Sequence, residues 1–228
     1  MYPFPLGFQT RQEVLDVEGL YVELSIITNT DELMDRLIAQ GEQHEDVLDE
    51  RIPYWADLWP SALALGRYLI QENIIRPGLT VTEMGCGLSL PGIIAGRLGA
   101  SVTLTDYLPS ALDFARHNWA QNLEEPAVFA LMDWRDPNPA LAADVLLASD
   151  IAYERRTFEY LPHAFRTLCK PGGVILVSEP NRAIAADFFA QLAGHGFEVK
   201  SSALTGFYNK LSYRVNVYQL SVSMVVEV

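Results

Sequence analysis

The sequence predicts an α/β fold: a mostly parallel sheet, closed by an antiparallel C-terminal hairpin and preceded by a small N-terminal extension. Three observations carry this. From Leu79 onward β-branched runs alternate with helical patterns, the order of strands and crossover helices. The first of these strands runs into a glycine turn, "EMGCGLSLPG" at 83–92. The last two strand-like runs, "FEVKSSALTG" and "LSYRVNVYQLSV", have no helix between them, as expected of an antiparallel pair.

Taken in order, "VLDVEGLYVELSII" at 14–27 alternates apolar and polar residues around Glu18-Gly19 and reads as a hairpin. "TDELMDRLIAQ" follows, with Thr30 or Asp31 placed as an N-cap and Leu33, Leu37 and Ile38 at helical spacing. The acidic "GEQHEDVLDERIP" reads as a loop or loose helix. "LWPSALALGRYLIQEN" puts Leu58, Ala62, Leu65 and Leu69 on one helical face, with Pro60 tolerable only in the first turn. Strands are then expected at 79–84, 101–106, 127–132, 143–149 and 174–178, and helices at 90–98, 109–121, 157–169 and 182–194. "FYNK" at 207–210 is expected to be the loop between the final strands. The division is an N-terminal extension, 1–52, and a main domain, 53–228.

The chain of 228 residues is half hydrophobic and carries a formal charge of -13, from 29 acidic and 16 basic residues. Lys and Arg are scattered, so nucleic acid is not expected as a partner. An acidic surface suits a cationic substrate, although charge of this size also serves solubility alone. Cys86 and Cys169 form no C-x-x-C pair, which fits a reducing cytoplasm. The first residues do not read as a signal peptide, and no apolar run approaches the roughly 18 residues needed to cross a bilayer. The four histidines form no ligand-spaced cluster, so no metal is expected, and all four read as surface residues.

The glycine turn places backbone N–H groups and a helix N-terminus beside a bound polar group. A Walker loop is excluded, because Ile93 and Ile94 stand where Lys and Ser/Thr belong. The dinucleotide pattern G-x-G-x-x-G matches only through Gly85 and Gly87. Asp106 ends the next strand and is placed to bond the hydroxyls of a ribose. A carboxylate at Glu83 suits a cation, and acid-x-Gly-x-Gly therefore points to S-adenosylmethionine; the alternative is a structural acid satisfying turn amides. Asp133 and Trp134 follow the third strand of the alternating region, where they suit an adenine base or, alternatively, a solvated loop and a core ring.

Together these motifs resemble the class I, seven-strand S-adenosylmethionine-dependent methyltransferases, from about Trp55 to the end of the chain. Within that class "LWPSALALGRYL", "EMGCGLSLPG" and "SDIAYE" are similar to the protein-lysine methyltransferases that include the enzyme acting on the electron-transfer-flavoprotein β subunit. The resemblance implies a Rossmann-like seven-stranded sheet. It implies Gly85 and Gly87 beside the methionine part of the donor, Asp106 on ribose, Asp133 and Trp134 around adenine, and Trp59, Tyr107 and Ser149 as further donor contacts. Asp150 and Tyr153 fit the Asp-x-x-Tyr pattern of that lineage and are expected to hold an acceptor amine; the alternative has Asp150 capping the next helix and Tyr153 packed. Ser89 departs from the pattern, standing where many members have a third glycine. The implied activity is N-methylation of a protein lysine, with a small-molecule amine or a non-catalytic donor-binding module as alternatives.

Overall fold

The computed structural model describes residues 8–222. A hairpin opens the chain, β1 (Thr10–Val17) and β2 (Leu20–Ile27), paired antiparallel from Thr10 with Ile27 to Val17 with Leu20. Its turn is Glu18-Gly19, both at positive φ, which matches the twist of paired strands. Helix α1 (Thr30–Ala39) follows, but its N-cap is Asn29 rather than Thr30 or Asp31. The Asn29 side chain makes no capping bond and instead accepts from the Gln9 N–H at 2.9 Å, tying the hairpin's entry to its exit. The acidic segment holds one helical turn, α2 (Glu45–Leu48), and a 3-10 turn at Tyr54–Ala56 precedes α3 (Pro60–Gln71), which Pro60 opens at N1, where its missing N–H costs nothing.

The main sheet collects β3 (Thr80–Met84), β4 (Ser101–Asp106), β5 (Val128–Leu131), β6 (Ala143–Ser149), β7 (Cys169–Glu179), β8 (Phe197–Tyr208) and β9 (Leu211–Val222). Their order is β5-β4-β3-β6-β7-β9-β8, parallel through β7, with β9 antiparallel to both its neighbours. The crossovers are α4 (Leu90–Arg97), α5 (Pro109–Asn122), α6 (Leu161–Leu168) and α7 (Ala183–Gln191). Among the described residues one apolar core packs the N-terminal hairpin, α3, α4 and α5 on one face. A second packs α6 and α7 on the other.

Four boundaries differ most from expectation. The strand expected at 174–178 already begins at Cys169. The helix expected over 157–169 starts at Leu161, because Pro162 fits only a first turn; Arg155–Thr157 form a separate 3-10 turn. The helix expected to reach 194 ends at Gln191 and tightens into a 3-10 turn over Leu192–His195 before Gly196, at φ 75°. "FYNK" is not a loop: Phe207 and Tyr208 belong to β8, and the turn is Asn209-Lys210 alone, both with φ above zero.

The hairpin is fixed to the sheet's helices by side-chain amides. Asn118 Oδ1 on α5 accepts from Ser25 N–H at 2.8 Å, and Asn122 both accepts from Glu23 N–H and donates to the Glu23 carbonyl. His117, expected on the surface, is half-buried beside Ser25 Oγ at 2.8 Å, and burial lowers its pKa. These bonds satisfy β2 groups that an edge strand would otherwise leave bare. No described helix is long and apolar enough to cross a membrane.

Candidate active site

The site follows from where the sheet reverses its winding. β4 lies on one side of β3 and β6 on the other, so the loops leaving their carboxyl ends diverge and open a crevice. Gly85 and Gly87 build its floor at φ 64° and 47°, a region open mainly to glycine. At Gly87 space matters as well: a Cβ would sit 3.0 Å from the Trp55 carbonyl oxygen, because the segment before α3 crosses over the turn. Cys86 N–H donates to the Thr105 carbonyl at 2.9 Å, and Asn118 Nδ2 reaches the Leu88 carbonyl at 3.3 Å. Ser89, also left-handed, is buried, and its hydroxyl has no nitrogen or oxygen partner among the described residues.

Two hollows of about 710 and 800 Å³ open over this floor and share Gly85, Tyr107, Trp134 and Tyr153. The smaller is walled also by Asp57, Trp59, Gly87, Ser89, Asp106, Ser149 and Asp150. The larger continues past Met132, Asp133 and Arg135 toward Asp49, Glu154 and Tyr160. Every residue expected at the site lines one hollow or the other, except Glu83.

Glu83 corrects an expectation. Its side chain, fully buried, turns under α4, where Oε2 accepts from Gly92 N–H at 2.9 Å. Burial holds the carboxyl well above its usual range, and the side chain supports the helix start rather than facing the hollow. The fit is close: a Cβ on Gly92 would meet Leu104 Cδ2 at 2.4 Å and Glu83 Oε2 at 2.6 Å.

Asp106 is also buried, but it faces the hollow. Oδ2 accepts from Gly87 N–H and Oδ1 from Leu108 N–H, each at 3.1 Å, which locks the carboxylate to the turn. Burial raises its pKa to about 6 against the pull of those N–H groups. A carboxylate has about four acceptor directions, so two bonds leave acceptor capacity for a ligand. Asp133 is occupied at the mouth: it accepts from its own loop's Arg135 N–H at 2.8 Å and Nε at 2.7 Å, and Arg135 reaches on to Asp49 at 2.8 and 2.9 Å.

Asp150 sits beyond β6 at φ 56°, a strained position for a residue with a side chain, held by its N–H to the Ser178 carbonyl at 2.8 Å. It does not cap the following turn. Its carboxylate pairs with Arg182 at the start of α7, with Nη1 on Oδ1 and Nη2 3.3 Å from Oδ2, while Ser61 Oγ approaches Oδ2 at 3.4 Å. Burial raises the Asp150 pKa and the Arg182 guanidinium opposes that rise. Arg182 is itself aimed by Glu179, whose Oε2 accepts from the Arg182 N–H at 2.7 Å. Tyr153 stands edge-on to Tyr54, centroids 5.6 Å apart, and Tyr54 edge-on to Trp59 at 6.1 Å. Trp59 Nε1 donates to the Tyr54 carbonyl at 2.8 Å, which completes an aromatic wall. Burial pushes the Tyr153 phenol up, so it stays protonated.

Arg182, Tyr54, Asp57 and the Asp49–Arg135 pair were not anticipated from sequence. Only Arg182 had a local signal, in "SEPNR" directly after a strand.

Comparison with known proteins follows the same lines. A protein family described as lysine methyltransferase matches residues 48–195. The histone-arginine methyltransferase METTL23 of Rattus norvegicus is 34% identical over 125 residues, 50% of this chain and 56% of that protein. The EEF1A lysine methyltransferase 3 of Mus musculus is 32% identical over 156 residues, 66% of this chain and 67% of that protein. The chain thus spans about half to two thirds of the length of these curated relatives. Among solved structures, magnesium protoporphyrin IX methyltransferase from Synechocystis with bound SAM superposes with a TM-score of 0.58 at 18% identity, over 85% of this chain and 92% of that one, a likeness of fold.

Proposed function

The chain belongs to the lysine methyltransferase family, and from that premise we propose that it methylates a nitrogen of a protein side chain, a lysine first, with S-adenosylmethionine as methyl donor. The observation that carries the reading is the left-handed turn at Gly85 and Gly87 locked to the Asp106 carboxylate, at the reversal point of the sheet. The cleft's residues fit such a donor. Asp106 keeps acceptors for ribose hydroxyls, Trp134 and Met132 offer apolar faces for a base beside Asp133, and the Ser89 hydroxyl, bonded to no nitrogen or oxygen among the described residues, suits a polar tail. Tyr107 and Ser149 complete the wall.

When bound, S-adenosylmethionine supplies a methyl group already activated by its sulfonium. The protein then has to align the acceptor and exclude water, and well-held geometry contributes about 7–11 kcal/mol. A lysine ammonium, with a pKa near 10.4, has no lone pair and must first lose its proton. Closure between Tyr54, Trp59 and Tyr153 removes water from the amine and favours its neutral form. Asp150, already holding one cation, orients the acceptor by sharing its carboxylate between Arg182 and the incoming amine. We propose in addition that residues 53–228 form the catalytic domain, that 1–52 form an extension whose Asp49, Glu50 and Ile52 line the cleft, and that the protein works in the cytoplasm, where its two unbridged cysteines would stay reduced.

A second acceptor has one specific observation behind it: Asp150 accepts a guanidinium with both oxygens, and one relative is named for arginine methylation. Incubation with S-adenosylmethionine labelled in the methyl group and a hypomethylated extract, followed by acid hydrolysis, separates these readings. Methyl-lysine in a protein band is the expected product, and methyl-arginine would move the acceptor to the guanidinium. Label confined to small molecules would replace the protein substrate by a metabolite amine, and donor binding without transfer would leave a non-catalytic module.

A further inference from the structure

The methionine end of the proposed donor carries an ammonium, and Glu83, the acid expected to meet a cation, is turned beneath α4. The other acids of the smaller hollow are engaged: Asp106 by two backbone N–H groups, Asp150 by Arg182. One carboxylate there is different. Asp57, in the extended stretch between the aromatic residues Trp55 and Trp59, lines the same hollow as Gly85, Gly87 and Ser89. Among the described residues its carboxylate makes no hydrogen bond or ion pair, and its one charged neighbour of note is Asp31, of the same sign. Partial burial and that repulsion together raise its pKa. An ionised Asp57 in this setting lacks the cation that would stabilise it.

We infer that Asp57 is the counter-ion for the α-ammonium of the donor's amino-acid tail, with the buried Ser89 hydroxyl as the second polar contact of that subsite. The inference rests on the donor reading above and adds a residue to it. Two features point to the tail rather than to the base or the acceptor. Asp57 and Ser89 both line the hollow that contains Gly87, whereas Met132, Asp133 and Arg135 line the other. Ser89 is 1% exposed, and its hydroxyl, beside the Cys86 thiol, bonds no nitrogen or oxygen among the described residues and so keeps capacity for a ligand's polar tail. The stretch carrying Asp57 also passes over the glycine turn at Gly87, so its placement and the turn's are coupled.

The test compares two ligands by calorimetry. S-adenosylhomocysteine has the amino-acid tail; 5′-methylthioadenosine keeps the nucleoside and sulfur and lacks the tail. Asp57→Asn should weaken S-adenosylhomocysteine by about 10- to 100-fold, the range for a lost charge-assisted hydrogen bond, and leave 5′-methylthioadenosine unchanged. The Asp57 charge is partly buried and repelled by Asp31, so the variant should fold with a Tm no lower than that of the wild type. Unchanged S-adenosylhomocysteine affinity, with the wild type binding normally, would overturn the Asp57 assignment alone. Equal weakening of both ligands would overturn it too, by showing that Asp57 acts through the shape of the covering segment. A wild type that binds neither ligand would overturn the donor reading and this inference with it.

Discussion

Along the wall that runs from β3 through α4 to β4, the carboxyl groups are held by backbone N–H groups: Glu83 Oε2 by Gly92, Asp106 by Gly87 and Leu108. Along the facing wall, from β6 to the start of α7 and across to α2, two carboxylates are held by other side chains: Asp150 by Arg182, Asp49 by Arg135. Backbone donors cannot leave without unfolding the turn, so the first wall is a fixed cradle. Side-chain pairs can exchange partners, so the second wall is the one able to admit a substrate cation. On the reading proposed above, the first wall holds the donor's ribose and the Asp150 side of the second handles the acceptor.

The largest expected effect breaks the fixed wall. Asp106→Ala removes the acceptor for two turn N–H groups as well as for the ligand, and S-adenosylhomocysteine affinity should fall by about 100-fold or more, at roughly 1.5–3 kcal/mol per hydrogen bond to a charged group. Calorimetry checks this, and affinity within a few-fold of wild type would remove Asp106 from the ribose site. Asp150→Ala tests the exchangeable wall from the opposite side. Turnover should drop by about 100-fold or more while donor affinity stays within a few-fold. Unchanged turnover would take Asp150 out of the reaction.

A smaller effect comes from pH. Burial holds the Asp106 carboxyl at about 6, and ribose hydroxyls bond better to the ionised form, so donor affinity should rise as pH climbs through that value. From pH 5 to pH 7 the ionised fraction grows about tenfold by simple titration, and the wild-type association constant should follow it. Asp106→Asn should flatten that dependence; a wild-type profile already flat over the window would put the titration elsewhere. The smallest effect concerns the mouth, where Arg135 is 41% exposed as it bridges Asp49 and Asp133. Exposed pairs contribute about 0–1 kcal/mol, so Arg135→Ala should weaken the donor only two- to fivefold, and about 0.5 M salt should erase the difference.

The same contrast explains what was legible in the sequence. The order of strands and helices, the glycine turn and the acid ending β4 are written in local patterns, and the turn's bonds close over short stretches of chain. Asp150 and Tyr153 were legible as positions at the end of a strand, yet the guanidinium that holds Asp150 lies 32 residues away, and Asp49 and Arg135 meet across 86. Nothing in a linear pattern selects one such pair among many. Glu83 was misassigned for a related reason. Its position beside the turn was plain, but its direction was decided by the Gly92 N–H and by the space that a glycine leaves under α4. Pro162 is a local signal that sets the start of α6, because proline fits only the first turn.

The most direct test of the account is a crystal structure of the protein with S-adenosylhomocysteine. The expected result is one ligand in the cleft, its ribose hydroxyls on Asp106, its base beside Trp134, and the Gly85–Gly87 turn unmoved. A ligand bound elsewhere, or one seated in the cleft with Asp106 still bonded only to Gly87 and Leu108, would contradict the claim that the backbone-held wall is a donor cradle.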